Sequence, residues 1–160
     1  MRNPTIELEN QLQDNINTHQ KILKISKNIN NVIINVHKRL KKGGIFYIVD
    51  FHPIVWMFDY TSNPPKLAYG YHQKEYIYEE YEGTYADEKS KMISKEYAWN
   101  HSLGEIITSL TNAGLTIDYL NEYDASPYNI FPELKINNDG MYELSDKLYP
   151  LLFELKATKI

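Results

Sequence analysis

The sequence predicts an α/β fold, and three observations carry that prediction. A helical stripe of Ile22, Ile25, Ile29, Val32, Ile33, Val36 and Leu40, spaced mostly by three and four, runs toward Gly43-Gly44. Directly after it, Ile45-Phe46-Tyr47-Ile48-Val49-Asp50-Phe51 is apolar except for one acid near its end. A second helix is announced by Ser102 and Glu105, spaced as a capping box, and strand-like segments follow at 115–123 and 150–157. Helical and strand patterns that alternate along one chain are the signature of an α/β layer fold.

Taken in order, residues 1–42 form a helical N-terminal segment with no glycine, opened by Asn3-Pro4 as N-cap and first helical position. Lys38, Arg39, Lys41 and Lys42 complement the dipole of its last turn, and Gly43-Gly44 ends it. The run 45–51 suits a strand buried on both faces of a parallel sheet, and His52-Pro53 stops it because proline cannot donate to a ladder. Residues 54–99 read as an antiparallel insert. Asn63-Pro64-Pro65 marks a turn, and Leu67–Tyr71, Glu75–Tyr81 and Lys91–Trp99 are its strands. Leu103, Ile106, Ile107 and Leu110 stripe the second helix, which Gly114 ends in a left-handed turn. Beyond the strand 115–123, a loop with Pro127 and Pro132 leads to a turn at Asn138-Asp139-Gly140 and the final strand. The whole is expected to be a single domain over 1–160, its body formed by 45–53 and 100–160.

Composition narrows the function classes. At 160 residues, 42% hydrophobic and 24% charged, the chain matches one ordinary globular domain. A net charge of −4 and a pI near 5.7 lack the basic footprint of a nucleic-acid binder. The absence of cysteine removes disulfides, thiolate metal sites and cysteine nucleophiles, and agrees with a reducing cytoplasm. Residues 1–21 are polar, unlike a signal peptide, and no apolar run reaches the ~20 residues of a membrane span. The expectation is a cytoplasmic protein without nucleic-acid or membrane partners. Tyrosine is abundant, at 14 residues, and clusters between Tyr60 and Tyr97.

Four short motifs and a closing segment stand in order along the chain. Leu40-Lys41-Lys42-Gly43-Gly44 resembles the leucine-lysine-proline-glycine-glycine turn that precedes the fifth strand of class I S-adenosylmethionine-dependent methyltransferases. Phe51-His52-Pro53, Glu82-Gly83-Thr84-Tyr85 and Trp99 through Ile107 are similar to segments of a branch of small bacterial members, as is the closing Leu155–Lys159. The resemblance covers roughly 25–160. It implies a partial Rossmann-like methyltransferase sheet, with strands equivalent to the fifth, seventh and sixth side by side and the antiparallel flap inserted. It also implies S-adenosylmethionine as cofactor of the full-length family. That cofactor needs a Gly-x-Gly turn after a first strand, and an acid about 20 residues on for the ribose hydroxyls. No glycine precedes Gly43, so no cofactor site is expected in this chain, which reads as the truncated, C-terminal, substrate-side half.

The candidate catalytic residues are His52 and His101, and the candidate substrate-binding residues are Asp50, Trp56, Tyr85 and Trp99. Asp50 and His52 sit at the end of the 45–51 strand, where open α/β sheets place their ligands. His52 has a near-neutral reference pKa suited to a general base, or it is held in a turn by Pro53. His101 lies at the mouth of the second helix beside Trp99, where it either lines a pocket or packs before the Ser102 cap. Trp56 and the tyrosines at 69, 71, 76, 78, 81 and 85 form an apolar wall or pack the flap on the body. No tight histidine spacing marks a metal site.

Three functional readings follow. The chain is a methyltransferase-family protein inactive alone, a substrate-side subunit completed by another chain, or a non-catalytic small-ligand-binding or oligomerisation module. Loss of a fourth-strand neighbour would leave the 45–51 strand with a free edge, so a homodimer through that edge and the N-terminal helix is expected.

Overall fold

The organising strand is the last one. In the computed structural model, which describes residues 27–59, 62, 64–82, 91–131 and 133–160, β10 (Leu152–Lys159) is the centre of a three-stranded sheet. It pairs antiparallel with β1 (Ile45–Phe51) on one side and with β6 (Leu115–Tyr123) on the other. Alternation along β10 sends Phe153, Leu155 and Ala157 into the core, while Glu154 and Lys156 face the opposite side. The register with β6 shifts between Lys156 and Ala157, where Asp118 of β6 is the extra, unpaired residue.

One layer of helices covers one face. Helix α1 (Ile29–Arg39) begins at Asn28, whose side chain accepts from the Asn31 N–H, and α2 (Leu103–Asn112) follows the insert. Ile33 from α1, with Leu103, Ile106 and Leu110 from α2, packs onto Leu115, Phe153, Leu155 and Ala157. The Ser102–Glu105 capping box is present in both directions, and Gly114 adopts φ +90 just past the α2 C-cap.

Several expectations are corrected. Every described strand pairing is antiparallel, and β1 is not buried on both faces: Ile45, Tyr47 and Val49 are each about half exposed. The physical reason is that both described helices lie on the same side of the sheet. Within the described residues α1 spans 11 residues and starts at its own Asn28 cap rather than continuing from Ile22. Its C-terminus falls at Leu40, before the glycines. There the Lys159 ammonium donates to the carbonyls of His37 and Leu40, both at 2.9 Å, while Gly43 at φ +75 serves the turn into β1. The region read as loop at 124–150 contains a small sheet, β7 (Ala125–Ser126), β9 (Tyr142–Glu143) and β8 (Lys135–Ile136), over a second core of Val55, Phe131, Leu134 and Leu151. The expected helical start at Asn3-Pro4, the stripe positions Ile22 and Ile25, Asn63, Gly83-Thr84-Tyr85 and Pro132 lie outside the described residues.

The insert is antiparallel, as expected. It consists of the short pair β2 (Phe58–Asp59) and β3 (Lys66–Leu67) and the hairpin β4 (Ile77–Glu82) and β5 (Ile93–Ala98). Some of its aromatics meet one another, with Tyr97 contacting Tyr76 at 5.3 Å and Tyr78 at 5.0 Å between ring centroids, while Trp56 and Phe58 pack on rings of the body.

Candidate functional site

At the end of β1 the chain turns sharply, and the turn decides which residues face a ligand. His52 is 2% exposed. Its Nδ1 accepts from the Ile54 N–H at 3.1 Å, so the ring hydrogen sits on Nε2 and is donated to Glu122 Oε1 at 2.8 Å. Burial lowers the His52 pKa more than the Glu122 carboxylate raises it. Both ring nitrogens are therefore engaged inside the turn, and neither is offered to a substrate as a base.

Beside that turn lies a cleft of about 160 Å³. Ile48 and Phe153 of the sheet and Ile29 and Ile106 of the helices give it an apolar lining, and Asp50, Trp56, Trp99 and His101 complete it. Four of the six candidate residues thus meet in one place, although 51 positions separate Asp50 from His101. His52 sits behind this cleft, and Tyr85 lies outside the described residues. Phe51 meets the Trp56 ring edge-on at 5.8 Å. His101 Nδ1 stands 4.0 Å from the Glu105 carboxylate, and His101 also borders a wider groove of about 550 Å³ between the start of α1 and the length of α2.

Two functional side chains escape a reading of the sequence. Asn100 is 3% exposed and donates from Nδ2 to the carbonyls of Pro53, at 3.0 Å, and Gly70, at 3.2 Å. It ties the turn after β1 to the insert and to the entry of α2, and so fixes the shape of the cleft. Glu122 of β6 orients His52. Each partner is remote in sequence, and neither residue sits in a pattern that marks it.

Asp50 is the acidic group of the cleft. Its carboxylate accepts from the N–H of the next residue, Phe51, at 2.7 Å, and no Lys, Arg or His among the described residues forms an ion pair with it. Partial burial raises its pKa, outweighing the Phe51 hydrogen bond. Asp50 nevertheless remains open to solvent at the mouth.

No family model matches the sequence, and no curated protein matches it. Among solved structures the chain is similar to a Listeria monocytogenes protein provisionally named an S-adenosylmethionine dependent methyltransferase, at 17% identity and a TM-score of 0.46. The match covers 82% of this chain and 54% of that one, so the chain spans about half the length of that structure.

The residues around the cleft do not fit an adenosyl cofactor. A cleft of about 160 Å³ falls below the 300–1,000 Å³ usual for ligands of that class. The adjacent pair Gly43-Gly44 lies at the other end of β1, and a side chain added at Gly43 would meet nothing within 4 Å. In the wider groove, Glu105 is already held by the Ser102 N–H at 3.0 Å. Among the described residues no group of His, Asp and Glu is placed to hold a metal ion, and no helix is long and apolar enough to cross a membrane.

Proposed function

We propose that this chain is the substrate-side portion of a class I S-adenosylmethionine-dependent methyltransferase, and that the Asp50–Trp56–Trp99–His101 cleft is its methyl-acceptor pocket. One observation carries the reading. The two most distinctive sequence motifs, Phe51-His52-Pro53 and Trp99–Ile107, supply Phe51 and Pro53 on one side and Trp99, His101 and Ile106 on the other side of the same cleft. The strand order β1-β10-β6, with the last strand antiparallel between the other two, is also the order that this reading requires of the fifth, seventh and sixth strands.

In this reading the chain binds and orients the acceptor, and does not hold the cofactor. Methyl transfer requires the sulfonium carbon and the nucleophile in line within one site, so the chain does not turn over by itself. The Asn100 staple and the His52–Glu122 pair hold the cleft walls. Calorimetric titration of the purified chain with S-adenosylmethionine tests the division of labour. The expected result is no saturable heat up to about 1 mM, whereas 1:1 binding at micromolar affinity overturns it.

A further inference from the structure

We infer that the cleft at the end of β1 binds a small organic ammonium ion, with Asp50 as its counter-charge and the two tryptophans as its walls. Asp50 brings a carboxylate to the mouth of an aromatic and aliphatic cleft, where its only described hydrogen bond comes from its own neighbour, Phe51. No described cationic side chain pairs with it. A carboxylate that is partly desolvated and lacks a counter-ion gains most from a ligand that brings a positive charge with N–H donors. Trp56 and Trp99 supply indole surfaces, which attract cations through their negative faces. The small volume sets the size of the ligand: one ring or a short branched chain fits, and a nucleoside does not.

The start of α2 is poorly suited to an anion, because three of its amides are already engaged. The Ser102 N–H donates to the Glu105 carboxylate, the Glu105 N–H donates to Ser102 Oγ, and the Leu103 N–H donates to the Tyr71 hydroxyl. Glu105 also places a negative charge in that first turn. The cleft wall further holds two polar atoms buried without partners, Trp99 Nε1 and Asn100 Oδ1. Buried polar groups in folded proteins are nearly always satisfied, and those left open point to a bound water or ligand.

This inference deepens the acceptor-pocket reading, but it does not require methyl transfer. The chain has two tryptophans, and both line the cleft, so intrinsic tryptophan fluorescence reports on it directly. The probes are benzylammonium, the neutral benzyl alcohol and the anionic benzoate, titrated into the wild-type chain and Asp50→Asn. A saturable change with benzylammonium, with affinity about tenfold or more above benzyl alcohol, is expected. Asp50→Asn should erase that preference while keeping its affinity for benzyl alcohol. Benzoate binding as tightly as benzylammonium, an unchanged preference in Asp50→Asn, or no saturable signal up to about 10 mM each overturns the inference. The two ideas fail separately: cofactor binding would sink the proposed division of labour and leave the ammonium preference standing, and the reverse also holds.

Discussion

Replacing His52 with alanine separates a histidine that builds the site from one that reacts in it. The ring is 2% exposed and makes two directed hydrogen bonds. A hydrogen bond to a charged group contributes about 1.5–3 kcal/mol, and the low end applies because the Glu122 side chain is 49% exposed. Leaving the Ile54 N–H without its acceptor costs about 1 kcal/mol more, since that amide is only partly buried. Lost ring packing adds about 0.5–1 kcal/mol. The expected destabilisation is therefore about 3 kcal/mol at pH 7.5, measured by urea denaturation and followed by tryptophan fluorescence. Glu122→Gln, which keeps an acceptor oxygen, should cost under about 1 kcal/mol. The pH dependence has a definite sign. His52 is held neutral in the fold, because a proton on Nδ1 would oppose the Ile54 N–H and burial disfavours the charge. An unfolded histidine takes up its proton near pH 6.5, so the contribution of His52 is full above about that pH. It is lost as pH falls toward the lowered folded pKa, and the gap between wild type and His52→Ala must narrow from pH 7.5 to 5.5. A gap below about 1 kcal/mol at pH 7.5 would refute the reasoning, as would one that widens on acidification, the mark of a charged His52–Glu122 ion pair.

Further predictions concern the face of the sheet opposite the described helices. Glu154 accepts from the hydroxyls of Tyr47, Tyr119 and Tyr123 and from Asn121, which holds its carboxyl at about 2 and pushes Tyr47 up to about 12. Glu154→Gln should return the Tyr47 ionisation toward 10 in an ultraviolet titration. It should also flatten the acid limb of stability between about pH 4.5 and 2, because a depressed carboxyl stabilises above its unfolded pKa and loses that contribution below it. The outer edge of β1, which no described strand pairs with, carries Ile45, Tyr47 and Val49 about half exposed, with no lysine, proline or bulge in the strand. Light scattering should give the mass of two chains at micromolar concentration, and Val49→Lys should return it to one. A wild-type mass of one chain counts against edge association.

What could be read from the sequence was mostly what is local. The Ser102–Glu105 box, the 103–110 stripe and Gly114 each depend on residues within one or two turns, and each is found in the structure. A seven-residue apolar run shows that a strand exists at 45–51 but not which faces it buries, because its facing depends on layers built elsewhere. The β7-β9-β8 sheet escaped because two-residue strands show no period. Lys38 and Arg39 stand in the last turn of α1 as expected, but the cation that bonds its closing carbonyls, Lys159 of β10, escaped because it is remote in sequence. At the site, Trp99 and His101 were legible as members of the motif that opens α2, Asp50 from its place at a strand end, and Trp56 as one of the aromatics of the insert. Asn100 and Glu122 act on partners 30 to 70 positions away and gave no local sign.

The outer face of the sheet lies opposite the layer formed by the two described helices. On the β6 side the outward side chains are polar or hydroxyl-tipped, and Glu154 gathers them into one hydrogen-bonded set. That half is stable against water without a cover. On the β1 side Ile45 and Val49 have no such partner among the described residues, and no described strand pairs with the outer backbone edge of β1 beside them. Among the described residues β1 and β6 are both edge strands, but exposed aliphatic side chains beside the open ladder are found on β1 and not on β6. A covering partner gains most by seating over β1, where it buries apolar area and completes a ladder together. The cleft opens at the C-terminal end of that same strand. Whatever completes the sheet, a second copy or a cofactor-bearing chain, would thus stand beside Asp50, so occupancy of the edge and ligand affinity of the cleft should rise and fall together.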